Sequence, residues 1–200
     1  MTVIVALKDP EHKSIILGTD TQVTSGQIMH ESNGKIITLP LVEVDGFDKT
    51  INEKEIIIAT CGRSYFKNFI NYGFNVPNKP VNMSFIEYLH KEFLPKLSKE
   101  VREMKLIQED SNQNDSEVSM LIIFKDELYH IEHNFGVCPV VEDYYTDGSG
   151  REIALGSLIT SLKYPNKQIS KKEIVKRAIT IAGEHTIYCN SSHNIKIVEY

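Results

Sequence analysis

Four stretches of this 200-residue chain, TVIVALK (2–8), SIILGTD (14–20), EIIIATCG (55–62) and SMLIIFK (119–125), are apolar at nearly every position rather than at every second one. Short β-branched runs of this kind read as strands, and strands without a polar face must be covered on both sides. DPEHK separates the first two, a Pro-and-charge turn that joins them as a hairpin. QIMHE (27–31) and KIITL (35–39) suggest a second, shorter pair around SNG, and ELYHIEHN (127–134) a hairpin partner for SMLIIFK across Asp126.

Helical patterns fall between these strand groups. RSYFKNFINYGF (63–74) places Tyr65, Phe66, Phe69 and Ile70 on one face. SFIEYLHKEFLPKLSKEVREM (84–104) opens with Ser84 as N-cap and Glu87 in the capping-box position, and Pro95 is expected to kink or split it. GSGREIALGSLITSLK (148–163) and SKKEIVKRAITIAGE (170–184), the latter capped by Ser170 with Glu173 three residues on, form a second helical pair. TIYCN (186–190) and NIKIVEY (194–200) read as two closing strands, and EDSNQNDSE (109–117) as a polar loop. Strands, two helices, strands, two helices, strands is not an alternating βαβ order. An α+β fold satisfies it: a four-layer αββα sandwich of two antiparallel sheets, formed by residues 1–200 as one domain.

Composition narrows the function. The net charge is −5, without the basic footprint of a nucleic-acid binder. No apolar run is long enough to span a bilayer, and the first residues lack a signal-peptide pattern. Cys61, Cys138 and Cys189 are odd in number and widely spaced, which suggests free thiols and a cytoplasmic setting. Without a CxxC pair, no structural zinc site is expected. His130 and His133 stand three apart on an expected strand and so face opposite ways, which disfavours a metal shared between them.

Thr2 follows the initiator methionine. Once Met1 is removed, its α-amine, with a pKa of about 7.7–8.0, is a base held beside its own hydroxyl nucleophile. Such a site also needs a cation, a carboxylate to orient it, and backbone donors for an oxyanion. Asp20, Lys35, Gly62 and the DGSG turn at 147–150 offer these, although each alone is equally an ordinary turn or surface residue.

Taken together, they resemble the proteasome β-subunit family, closest to its bacterial HslV-like branch, over nearly the whole chain. TVIVAL is similar to that family's threonine-led first strand, and GTDTQVTSG to its Gly-x-Asp-x-x-x-Thr-x-Gly stretch. GKI resembles the strand bearing the active-site lysine, IIIATCGRS the strand ending at the oxyanion glycine, and DGSGREIALGSL the Gly-Ser-Gly helix start. The resemblance implies a threonine endopeptidase with Thr2 as nucleophile, Lys35 oriented by Asp20, Gly62 as oxyanion donor and Ser149 as accessory. It further implies protein or peptide substrates, a homo-oligomeric ring, an ATP-driven unfoldase as partner, and neither cofactor nor catalytic metal. The family's second carboxylate has only Glu184 as a counterpart. Three other readings stay open: an inactive structural subunit that keeps Met1, another N-terminal-nucleophile amidohydrolase acting on a small amide, and a binding module. Cleavage specificity, ring size and the unfoldase are not encoded in these motifs.

Overall fold

The structure is a computed structural model that describes residues 2–25, 28–32, 34–47, 49–104, 118–166 and 168–200. Met1 and the polar 109–117 segment lie outside the described residues. The strands of the first half are β1 (Val3–Asp9), β2 (Ser14–Asp20), β3 (Gln22–Ser25), β4 (Ile28–Glu31), β5 (Ile36–Val44), β6 (Thr50–Cys61) and β7 (Lys79–Pro80). Those of the second half are β8 (Ser119–Phe124), β9 (Glu127–Ile131), β10 (Val137–Pro139), β11 (Tyr144–Gly148) and β12 (His193–Glu199). The helices are α1 (Ser64–Tyr72), α2 (Phe85–Tyr88), α3 (Leu94–Glu103), α4 (Arg151–Lys163) and α5 (Lys171–His185).

One sheet has the order β11-β1-β2-β12 and the other β10-β9-β8-β6-β5-β7, with β3-β4 as a separate ribbon. Pairing is antiparallel throughout except where the two-residue β7 runs parallel to β5. Three apolar cores separate four layers. Val3, Val5 and Leu7 of β1 pack on α4 and α5, whereas Ile4 and Ala6 face Ile57, Ala59 and Leu121 of the other sheet. Ile56 and Ile58 of β6, with Met120 and Ile122 of β8, form the third core against the aromatic side chains of α1 and α2 and the aliphatic face of α3. The period-2 alternation of a strand is therefore present, but both of its faces are buried, so the apolar runs look continuous. The αββα architecture is as expected.

Local signals act as anticipated at several points. Ser84 and Glu87 make a reciprocal capping box, and the Ser170 hydroxyl accepts from Glu173 N. Pro95 sits in the first turn of α3, and a π-helical turn over Leu89–Phe93 joins α2 to α3, so the helix is re-registered rather than broken. Three expectations are corrected. β4 pairs with β3 and not with the KIITL strand, which pairs instead with β6. Tyr65 leaves the apolar face of α1, where only Phe66, Phe69 and Ile70 are buried. The 186–190 segment is a turn, not a strand, because Gly183 lets it pass so close to α5 that a Cβ there would lie 2.2 Å from the Asn190 carbonyl carbon.

Candidate active site

Asp20 ends β2 with no exposed surface, so its carboxylate must be satisfied within the protein. Its Oδ1 accepts from Lys35 Nζ at 2.7 Å and from Val3 N at 2.9 Å, and its Oδ2 accepts from Gln22 N at 3.1 Å. The Val3 contact clamps the backbone directly after Thr2. Lys35 is 5% exposed and is tied to the end of β6 by Thr60 N donating to its carbonyl at 3.1 Å. Burial lowers the Lys35 pKa from the ordinary lysine value, against the attraction of Asp20, which favours the charged form.

Gly62 follows β6 with φ 113°, a conformation that a side-chain-bearing residue resists. The adjoining Cys61 is buried and reduced, and burial raises its thiol pKa well above the usual value, so it stands protonated beside the site. Opposite, Gly148 has φ 87° and lies so near Thr2 that a Cβ would fall 2.3 Å from the Thr2 carbonyl oxygen. Gly150 N donates to that same oxygen at 3.3 Å. The DGSG turn is thus fitted to the Thr2 main chain, and its Ser149 is exposed toward a cavity.

Two open cavities meet at Thr2 and Gly62. One, of about 540 Å³, is lined by Ser119, His133, Asp147 and Ser149; the other, of about 720 Å³, by Lys35, Thr24, Thr60, Tyr65 and Lys67. The five residues singled out from sequence, Thr2, Asp20, Lys35, Gly62 and Ser149, therefore converge: four line one or both cavities, and Asp20 stands behind Lys35. Glu184 does not join them; it is exposed on the last turn of α5 and lines neither cavity.

Sequence reasoning missed two supports. Asp147 is buried, accepting from Ser119 Oγ at 2.6 Å and from Gly148 N at 2.7 Å, so it fixes the turn that abuts Thr2. Asn190 accepts from Thr21 N at 3.1 Å and thereby ties the α5–β12 turn to the residue after Asp20. A carboxylate directly before a glycine turn was the only available signal for the first. The second depends on a contact across 169 positions and has no local signature.

No family model matches this sequence. A curated relative, the ATP-dependent protease subunit HslV of Petrotoga mobilis, is 32% identical over 83 residues, covering 42% of this chain and 46% of the relative. The chain thus spans less than half the length of that relative. A solved structure of Thiobacillus denitrificans BPH aligns over 100% of this chain and 98% of its own, with a TM-score of 0.73 and 19% identity. The same protein in complex with epoxomicin gives a TM-score of 0.74 and 18% identity, again covering 100% and 98%. Eukaryotic HslV from Trypanosoma brucei aligns over 99% of each chain with a TM-score of 0.60 and 16% identity.

Proposed function

We propose that this chain, whose fold is that of the HslV and BPH structures and part of whose sequence matches a curated HslV, is an HslV-like member of the proteasome β-subunit family and a threonine peptidase subunit of an ATP-dependent, self-compartmentalising protease. The observation that carries the reading is the buried Lys35–Asp20 pair, whose carboxylate also clamps the backbone next to Thr2. A buried ammonium beside a hydroxyl favours negative charge on that oxygen, which is what a neutral threonine lacks as a nucleophile.

In the proposed reaction, removal of Met1 frees the Thr2 α-amine. That amine takes the Thr2 hydroxyl proton as Oγ1 attacks the scissile carbonyl carbon. The oxyanion is met by Gly62 N–H, and Lys35 offsets the developing charge. The amine returns the proton to the leaving nitrogen as the C–N bond breaks, leaving an ester on Thr2. Water, activated by the same amine, hydrolyses the ester and restores the site. Ser149 steadies the amine from the neighbouring cavity. No cofactor takes part in these steps. A ring of copies, fed in the cytosol with unfolded chains by an ATP-driven unfoldase, would restrict access to the site.

The test is the intact mass of the tag-free protein with and without epoxomicin, the compound bound in the Thiobacillus denitrificans structure. The expected result is a mass lower by one methionine, plus a single adduct that Thr2→Ala abolishes. Retained Met1 with no adduct would replace this reading with that of a structural subunit.

A further inference from the structure

The β9–β10 hairpin carries a set of metal-ligand types that the peptidase chemistry does not use. His130 and Glu132 are two residues apart and so point to one face of the hairpin. Cys138 is the direct antiparallel partner of His130 and shares that face. Tyr129 and Ile131, at the alternate positions, turn into the core under the helices. The His130, Glu132 and Cys138 ligand atoms all lie within 4.8 Å of one another. The turn between them is fixed by Glu132 N donating to the Gly136 carbonyl at 2.9 Å and Gly136 N to Asn134 Oδ1 at 2.7 Å.

A second, independent observation concerns the histidine itself. His130 Nε2 is a buried polar atom with no hydrogen-bond partner among the described residues, a costly state for an imidazole nitrogen. It stands 3.7 Å from Asp147 Oδ2, whose carboxylate is held by Ser119 and Gly148. A histidine that binds a metal through one nitrogen commonly directs its other N–H at a carboxylate, and at 3.7 Å the Asp147 carboxylate stands where it could receive that N–H.

We propose that His130, Glu132 and Cys138 form a zinc site, with His130 ligating through Nδ1 and donating Nε2–H to Asp147. Thiolate, imidazole and carboxylate suit a borderline-soft d¹⁰ ion, and three protein ligands leave one tetrahedral position for water. Ligand atoms around such an ion are about 3.3–3.7 Å apart, given its bond lengths and tetrahedral angles. Closing from the observed spacing takes ~1 Å of movement by Glu132 and Cys138, both exposed. Among the described residues the other candidate group, Asp9, Glu11 and His12, is already spent: Asp9 pairs with Lys171 at 3.0 Å and His12 at 2.8 Å. The three ligands fall in no CxxC or paired-histidine spacing; the hairpin brings Cys138 opposite His130. This inference does not depend on the peptidase reading.

The test uses the full chain, reduced and stripped with a chelator, then titrated with Co²⁺ and Zn²⁺. One Co²⁺ per chain should produce a thiolate-to-cobalt charge-transfer band that Zn²⁺ displaces and Cys138→Ser removes. Glu132→Gln and His130→Gln should each weaken Zn²⁺ binding at least tenfold, while His12→Gln leaves it unchanged. Cys138 and Glu132 are exposed, so their variants should keep the wild-type circular dichroism even where His130→Gln does not. Absence of the band, its persistence in Cys138→Ser, or loss of binding in His12→Gln alone would overturn the proposal.

Discussion

In the proposed mechanism the buried Asp20–Lys35 pair has two separable roles, holding the structure together and setting the potential beside Thr2. Both side chains are buried, so removing one strands the other charge, at a cost of about 3–5 kcal/mol. Lys35→Met should therefore lower the denaturant midpoint steeply, and Asp20→Asn should do the same. The Asp20→Asn/Lys35→Met double variant should recover much of that stability, because a neutral pair leaves no stranded charge, yet regain no peptidase activity. Recovery of activity with stability would mean that the pair serves packing alone. The same lysine bounds the pH profile. The rate should rise as the Thr2 amine deprotonates, near pH 7.7–8.0 in an unperturbed amine, and fall when Lys35 loses its proton. Because burial lowers the Lys35 pKa, that alkaline limb should fall below the ordinary lysine value, and peptide hydrolysis followed against pH checks it. Cysteines offer a third residue-level check. All three thiol pKa values are raised, Cys189 to about 11, but Cys61 and Cys189 are buried whereas Cys138 is exposed to solvent. Metal-free native protein should take up one equivalent of a thiol reagent at pH 7, on Cys138, and three after unfolding.

Within elements, one substitution should have opposite signs at two glycines. Gly18 lies in β2 where a Cβ would meet Ile179, Ile195 and Val175 side chains at 2.6–2.7 Å, so Gly18→Ala overpacks the β2–α5 contact by about 1–3 kcal/mol. Gly156 is exposed inside α4 with nothing within 4 Å of its would-be Cβ, so Gly156→Ala should stabilise by about 0.5–1 kcal/mol. Thermal melting of both variants tests the layer assignment directly. The same layers explain what sequence could disclose. Val3–Leu7, Ile15–Leu17 and Ile56–Ala59 announce themselves because a strand buried on both faces has no polar positions to obscure it. α5 is legible through Ser170 and its apolar stripe. β11 has no such signal: YYTDG is only partly buried and becomes a strand because β1 offers it an edge, with Val3 opposite Gly148. β4 is exposed along its length, so no apolar register favoured β3 over β5. At the site, Thr2, Asp20 and Lys35 were readable as a motif. Asp147 and Asn190 were not, because each acts by bracing a turn that only the folded chain brings near Thr2.

For the molecule as a whole, the unresolved demand is its apolar surface. Ile28 and Met29 on β4 are 61% and 67% exposed, and Ile187 in the α5–β12 turn is 80% exposed. The β3–β4 ribbon and that turn are linked, since Gln22 Nε2 donates to the Ile187 carbonyl at 3.3 Å and Asn190 contacts both Thr21 and Glu31. Apolar side chains set on a braced ribbon, rather than scattered singly, are what a subunit interface requires. A closed chamber also needs contacts of this kind, since a lone chain leaves both cavities beside Thr2 open to any folded protein. Light scattering on the wild-type protein should accordingly give a mass that is a multiple of 22.8 kDa. Ile28→Glu/Met29→Glu should reduce it toward a single chain while leaving the circular dichroism unchanged, because neither side chain contributes to a core. A dissociated variant that still cleaves short peptides would show the catalytic groups to be complete within one chain and the assembly to act as a size filter. A wild-type protein already at 22.8 kDa would remove the ring, and with it the unfoldase, and leave the Thr2 chemistry to a monomeric amidohydrolase with an open cleft.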